Sequence, residues 1–533
     1  MDQLTLLFAL LLGAVVIVPL GERLSLPPPV LMTLFGAGLA LLPFVPNVEI
    51  PPEYILPLVL PPLLYSAVQR TSWREFAANL RPIVLLAVAL VFVTTAAVAA
   101  VAHAVVPGLP LAGAVALGAL VAPPDPVAAT AVAGKLGLPR RMVSILEGEG
   151  LFNDVTAITL YHVTIAAAVS GTFSVTVASA ELVLSAAVAV AVGIVLGWAT
   201  ARMLPLLGDA TLGTGLTLLV PFASYSIAEE LLGSGVLAVL VTALFLTERA
   251  TDADDVIGRL TGQSFWAVVE TLVTGVAFGL IGLEVHGVVV SAGGQWHTLL
   301  PAAGLVLATV ILVRLLWLAP AVWLVRRLKR GGDRGEEIPI GWRETVVMWW
   351  AGMRGVASVA LALAVPLTVD SGADFPARDA IVFVAFAVVL GTLVLQGLTL
   401  PWLVGRLDIG SDGTTERAQE RALAIRVATA CRTRVRELEA EGRISGEAAE
   451  RMTHRAHEMA WWIAPELADE ERREQITERL DRARELHSLR GELLSAARHA
   501  VVDARNEPGM TPEVADRVLR WLDQGSLWHR REE

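Results

Sequence analysis

Cysteine, charge and cleavable targeting signals are what this sequence has least of. Its 533 residues contain one cysteine, Cys431, so neither an internal disulfide nor a multi-cysteine metal site can form. Charged residues make up 17% of the chain against 55% hydrophobic ones, and the mean hydropathy is +0.62. A soluble protein of this length carries more charge, so the composition predicts an integral membrane protein. The start, Met1-Asp2-Gln3-Leu4, lacks a basic region and a small-residue cleavage site, and it reads as the beginning of a first span. The formal net charge of −11 comes with no basic patch interleaved with aromatics and no nucleic-acid motif, so no nucleic-acid partner is expected. No cofactor is expected either.

What is present is a series of apolar runs long enough for helices. They fall at about residues 3–20, 27–44, 52–68, 80–104, 110–134, 141–168, 177–204, 212–229, 234–247, 263–286, 297–325, 342–366 and 378–405, thirteen candidate spans of an all-α membrane domain. Alternate connections carry the basic residues: Arg23; Arg70, Arg74 and Arg81; Lys135, Arg140 and Arg141; Arg202; Arg249 and Arg259; then Arg326, Arg327, Lys329, Arg330, Arg334 and Arg343. The intervening connections carry almost none apart from Arg378. The positive-inside rule therefore places the N-terminus outside and the C-terminus in the cytoplasm of a plasma-membrane protein. The membrane domain is expected to span residues 1–406. From 407 the chain turns through Asp408-Ile409-Gly410-Ser411-Asp412-Gly413 into a stretch dense in arginine and glutamate, expected to be a helical cytoplasmic tail to 533. There His454 and His457, near Glu458, read as a solvated helix face rather than metal ligands, and Trp461 and Trp462 as packing residues.

Three carboxylates interrupt the sixth run, in Leu146-Glu147-Gly148-Glu149-Gly150-Leu151-Phe152-Asn153-Asp154. Charge at bilayer depth costs several kcal/mol per group and is rarely kept without a partner or a task. On a helix Glu147, Gly150 and Asp154 share a face, and the glycine leaves open space one turn before Asp154. A carboxylate beside a gap suggests an ion site; a salt bridge between helices is the alternative.

The fifth run contains Ala122-Pro123-Pro124-Asp125-Pro126, which cannot continue a helix. Such a break is tolerated in a membrane only where protein or a water-filled cavity satisfies the freed backbone groups. Asp125 is expected at the gap, offsetting the positive end of the second half-helix and in contact with a cation; a kink with Asp125 paired to an arginine is the alternative. The twelfth run is interrupted at Ala351-Gly352-Met353-Arg354-Gly355-Val356. Spans 5 and 12 are an odd number apart and run in opposite senses. With spans 1–6 and 8–13 as two inverted six-helix repeats, the broken helices occupy matching places and cross near the midplane. Glu270 and Arg314 lie inside the tenth and eleventh runs, and mutual pairing is the guess for them.

These residues resemble the monovalent cation:proton antiporter family, in the sodium/proton exchanger branch that carries an Asn-Asp pair. The matching pieces are Leu60-Pro61-Pro62-Leu63-Leu64-Tyr65, Asp125-Pro126-Val127-Ala128, Leu146-Glu147-Gly148-Glu149 with Leu151-Phe152-Asn153-Asp154, Gly233-Ser234-Gly235-Val236-Leu237-Ala238-Val239, and Met353-Arg354-Gly355. The resemblance implies a thirteen-helix homodimer with a moving core domain. It implies that Asp154 binds proton and cation in turn, that Asn153 braces the broken helix, that Glu149 and Arg354 form a structural ion pair, and that Asp125 is the second core aspartate. Three positions depart from the family pattern: Pro124 and Gly150 stand where hydroxyl residues are common, and Ser66 where an acidic residue is often found. The expected cargo is a monovalent cation, sodium with potassium or lithium as alternatives, bound at Asp154 and Asp125; Glu147, Ser66, Gly150 and Pro124 are accessory candidates.

A carboxylate withdrawn from water has its charged form disfavoured, so proton and cation can compete for it. If Asp154 must be neutralised by one or the other before it crosses, each cycle swaps one for one. With asparagine at 153 the exchange is expected to be electroneutral. Two other readings use the same residues. An intramembrane aspartyl hydrolase would pair Asp125 with Asp154, but the chain lacks a Gly-x-Gly-Asp element. A passive cation channel would conduct without proton exchange. A further reading makes the tail a sensor and the membrane part its anchor.

Overall fold

The computed structural model describes residues 3–43, 45, 52–70, 77, 79–125, 127, 130–131, 137–171, 175–249, 256–328, 341–409, 413–464, 467 and isolated positions between 493 and 518. Among them the regular structure is helical, apart from one isolated bridge between Thr368 and Asp374. The chain divides into two compact units, Met1–Ser411 and Asp412–Glu533.

In the first unit every apolar run holds a helix. They are α1 (Gln3–Leu24), α2 (Pro28–Ala40), α3 (Pro52–Arg70), α4 (Leu80–Val105, with a π turn at Leu85–Ala89) and α5 (Leu111–Val121). Then come α6 (Arg140–Ser170), α7 (Val175–Leu207), α8 (Ala210–Glu230), α9 (Gly235–Arg249), α10 (Val256–Ser291) and α11 (Trp296–Leu328). The last are α12 (Trp342–Trp350), α13 (Val356–Leu363) and α14 (Arg378–Leu407). Eight helices of the described residues are long and apolar enough to cross a membrane, which makes this a multi-pass membrane protein. Most of these helices keep their backbone hydrogen bonds within themselves, as hydrocarbon surroundings require. The run at 110–134 becomes α5 up to Val121, and Thr130 and Ala131 are helical again. Residues 132–136 lie outside the described residues, as do Pro126 and Ala128 of the same run. So do Arg74, Lys135, Lys329, Arg330 and Arg334, on which the orientation reading partly rests.

Two features position the site. Helix α14 is buried along most of its length, from Ile381 to Leu400, and forms a central post against which the broken segments rest. Helices α2 and α10 touch backbone to backbone: a Cβ on Gly36 would overlap the carbonyl of Gly279, and one on Gly282 the carbonyl of Thr33. Close approach through small residues is how helices gain dispersion contact where lipid offers no hydrophobic drive.

The second unit contains a helical hairpin, α15 (Gly413–Ala440) and α16 (Gly446–Ile463). Gly442 turns it at φ +69°, and the Ser445 hydroxyl accepts from the Ala448 N–H to start α16. Ala424, Ala428, Ala460 and Ala464 make its small core. His454 lies 3.5 Å from Glu458, and both His454 and His457 lie beside the Trp461 ring. The Trp462 side chain and most of residues 468–533 lie outside the described residues.

Candidate functional site

Helix α5 stops at Val121 because the prolines after it remove donors and clash with a continued turn. Helix α12 stops at Trp350, and α13 restarts at Val356 after Gly355, whose backbone is extended. The two breaks meet directly. The Asp125 N–H donates to the Met353 carbonyl at 2.6 Å, a backbone bond between segments more than two hundred residues apart.

Each break leaves carbonyls on one side and N–H groups on the other, and a charge answers each set, the buried Arg354 and the half-buried Asp125. Arg354 donates from Nε to the Val121 carbonyl (2.8 Å), from Nη2 to the Ala122 carbonyl (3.1 Å) and from Nη1 to the Gly352 carbonyl. Its own N–H donates to Thr392 Oγ1 on α14 at 3.1 Å. Asp125 Oδ1 accepts from the Val127 N–H at 2.8 Å, and Val356, the first residue of α13, lines the same space as this carboxylate. A guanidinium thus sits where half-helix C-termini concentrate negative partial charge and a carboxylate where N-termini concentrate positive, the favourable arrangement for both. Gly355 makes this possible: a Cβ there would run into the Asp125 carboxylate.

Asn153 is fully buried on α6, and its Nδ2 donates to the Pro124 carbonyl at 2.7 Å. The proline that lacks a hydroxyl therefore contributes a carbonyl, and the asparagine ties α6 to the break. One residue on, Asp154 faces a cavity with a total of about 830 Å³ including its open mouth. Asp125, Glu147, Gly150 and Ser66 line it too, so these residues singled out in the sequence converge with Asp154 on one space. Glu270 of α10 is the fourth carboxylate of the lining, and among the described residues that line it there is no lysine, arginine or histidine. A concave site with one sign of charge concentrates ions of the other sign, here cations.

Glu149 does not pair with Arg354. Its carboxylate is held by Arg314 of α11, with Nη1–Oε1 at 2.5 Å and Nη2–Oε2 at 2.8 Å, while Arg314 Nε donates to the Met348 carbonyl at 3.1 Å. Both side chains are buried, at 2% and 1% exposure. The reason is saturation: the carbonyls of the broken segments and of Gly352 take up the Arg354 guanidinium, and Arg314 reaches Glu149 from the neighbouring helix. The guessed pairing of Arg314 with Glu270 fails for the same reason. Sequence reasoning also passed over Thr392, Thr130 and Ser358. For Arg314 a signal existed, since an arginine in the middle of an apolar run must find a buried partner, but nothing local says which carboxylate that is.

Comparison with known proteins places this arrangement. Residues 7–406 match the family described as sodium/hydrogen exchanger, transmembrane. A Mycobacterium tuberculosis protein named as an uncharacterized Na+/H+ exchanger is 38% identical over 411 residues, 75% of this chain and 74% of that one. A Bacillus pumilus protein named as a sodium, potassium, lithium and rubidium/H+ antiporter is 31% identical over 395 residues, 72% of this chain and 58% of that one. The fold is that of the sodium proton antiporter MjNhaP1 of Methanocaldococcus jannaschii, with a TM-score of 0.56 at 20% identity over 76% of this chain and 98% of that chain. The chain belongs to the sodium/hydrogen exchanger family, a family of membrane cation/proton antiporters.

Proposed function

We propose that the chain exchanges one monovalent cation for one proton, with Asp154 binding each in turn. The observation that carries this reading is that Asp154 shares with Asp125 an open cavity whose only charged side chains, among the described residues, are carboxylates, beside two helix breaks that meet. Protonation and cation binding each neutralise one carboxylate, so they exclude one another. An unoccupied, charged carboxylate would be several kcal/mol more expensive to carry past the apolar barrier, which couples the two fluxes. Asn153 adds no second titrating group and the Asp125 carboxylate is engaged by the Val127 N–H, so the exchange is electroneutral. Asn153 keeps the break in shape, and Glu149 with Arg314 and Arg354 with its carbonyls fix the frame around it.

The same reading extends to the architecture. Thirteen crossings form two inverted six-helix repeats joined by α7, with α5 and α12–α13 as counterparts; the N-terminus is outside, and residues 407–533 form a cytoplasmic regulatory tail behind the membrane domain of residues 1–406. The working unit is a plasma-membrane homodimer. The cation is sodium, with potassium or lithium as alternatives: Pro124 and Gly150 offer no hydroxyl to single out one ion, and the Bacillus pumilus relative named for four alkali cations supports a broad range.

The test is reconstitution in liposomes with an imposed pH gradient, followed by sodium, lithium, potassium or rubidium. The wild-type chain should dissipate the gradient and Asp154→Asn should not; an active Asp154→Asn variant removes Asp154 from the mechanism. Clamping the voltage with potassium and an ionophore should leave the sodium response unchanged.

A further inference from the structure

The cavity holds one hydroxyl that the helices around it leave unused. Serine and threonine on membrane helices ordinarily return their proton to the carbonyl one turn back. Here Thr156 bonds Phe152, Thr159 bonds Val155, Ser224 bonds Val220 and Thr242 bonds Ala238 in this way. The cavity's own hydroxyls at Ser66 and Thr130 keep the pattern three residues back, on the carbonyls of Leu63 (2.9 Å) and Val127 (3.4 Å). Ser358 does not. It lies in the first turn of α13, which begins at Val356, so the carbonyls three and four residues back belong to Gly355 and Arg354, in or before the extended break. Ser358 is 1% exposed, lines the cavity with Asp125 and Asp154, and has no hydrogen-bond partner among the described residues.

A buried hydroxyl without a partner is costly unless something else occupies it. The break therefore does two things at once. It brings Asp125 to the site and strips Ser358 of its usual acceptor. We infer that Ser358 is a ligand of the transported cation, supplying from α13 the hydroxyl oxygen that Pro124 does not supply from the break after α5, nor Gly150 from α6. This rests on the antiport reading and adds a specificity-determining residue to it. An uncharged oxygen close to the ion matters most for the smallest ions, whose hydration is hardest to replace.

The experiment uses the full chain in liposomes, reading the cation concentration that half-dissipates a pH gradient. Ser358→Ala should raise that concentration about tenfold for lithium and sodium (~1.4 kcal/mol) and by less than about twofold for rubidium. Ser358→Cys, which keeps the shape but replaces the hard oxygen, should behave like Ser358→Ala, and it carries the test if the alanine variant does not fold. Ser358→Thr, which keeps the oxygen, should stay near the wild type. No change in Ser358→Ala, an equal shift for all ions, or a wild-type response from Ser358→Cys would each overturn the inference. Asp154→Asn tells the two failures apart: if it is inactive while Ser358→Ala is normal, only the Ser358 assignment falls, and if it is active, the antiport site itself falls.

Discussion

Replacing Arg314 by methionine should be among the most damaging single changes in the membrane unit. The side chain makes two bonds to Glu149, at 2.5 and 2.8 Å, and one to the Met348 carbonyl at 3.1 Å, all in surroundings where it is 2% exposed. Methionine removes all three and leaves Glu149 charged and enclosed. Stranding one member of a buried pair costs about 3–5 kcal/mol, and the orphaned carbonyl at the end of α12 adds about 1 kcal/mol. A loss on the order of 4–6 kcal/mol shifts the folding equilibrium by roughly three to four powers of ten. Thermal unfolding of the purified full-length chain in detergent, monitored by tryptophan fluorescence, reads the change. The decisive comparison is a double-mutant cycle, because replacing both members of a buried pair by apolar residues is often close to neutral. Glu149→Leu should recover most of what Arg314→Met loses and little of what Arg354→Met loses. Rescue of Arg354→Met but not of Arg314→Met would refute the pairing and restore Glu149–Arg354 as the ion pair.

Gly355→Ala should abolish exchange in the liposome assay while costing about 1–3 kcal/mol in thermal unfolding, because its Cβ would displace the Asp125 carboxylate; a fully active variant would show that Asp125 need not stay where it is. In the turn before α8 the exposed Asp209 carboxylate accepts from the N–H groups of Leu212 and Thr211, which hold its pKa below the usual carboxylate value. A depressed pKa stabilises the folded state above the unfolded value and loses that contribution as pH falls through the folded one. The unfolding temperatures of wild type and Asp209→Ala should therefore differ at neutral pH and converge at strongly acidic pH; a constant gap would mean the capping bond does not depend on ionisation.

The sequence by itself determined what is local. Apolar length fixes where helices can cross a bilayer, because hydrocarbon accepts only segments that bond their own backbone. The proline run fixes a break at 122–126, and a glycine-flanked arginine marks the second break at 351–355. The expense of intramembrane charge singles out Glu147, Glu149, Asp154, Asp125 and Arg354 from the chain alone, and three of those carboxylates do gather at one cavity, with Glu270 as a fourth. The family was legible from those motifs as well. What the tertiary structure alone decided is which charge meets which. Glu149 is 165 residues from Arg314 along the chain, and whether it meets that arginine or Arg354 depends on how α6, α11 and α12 lie side by side. Lateral packing comes from many weak contacts summed over whole helix faces, so no short stretch encodes it. The same holds for Ser358, an ordinary residue in its own sequence, which becomes an unpaired oxygen only because a break one turn away and a cavity opposite coincide in space.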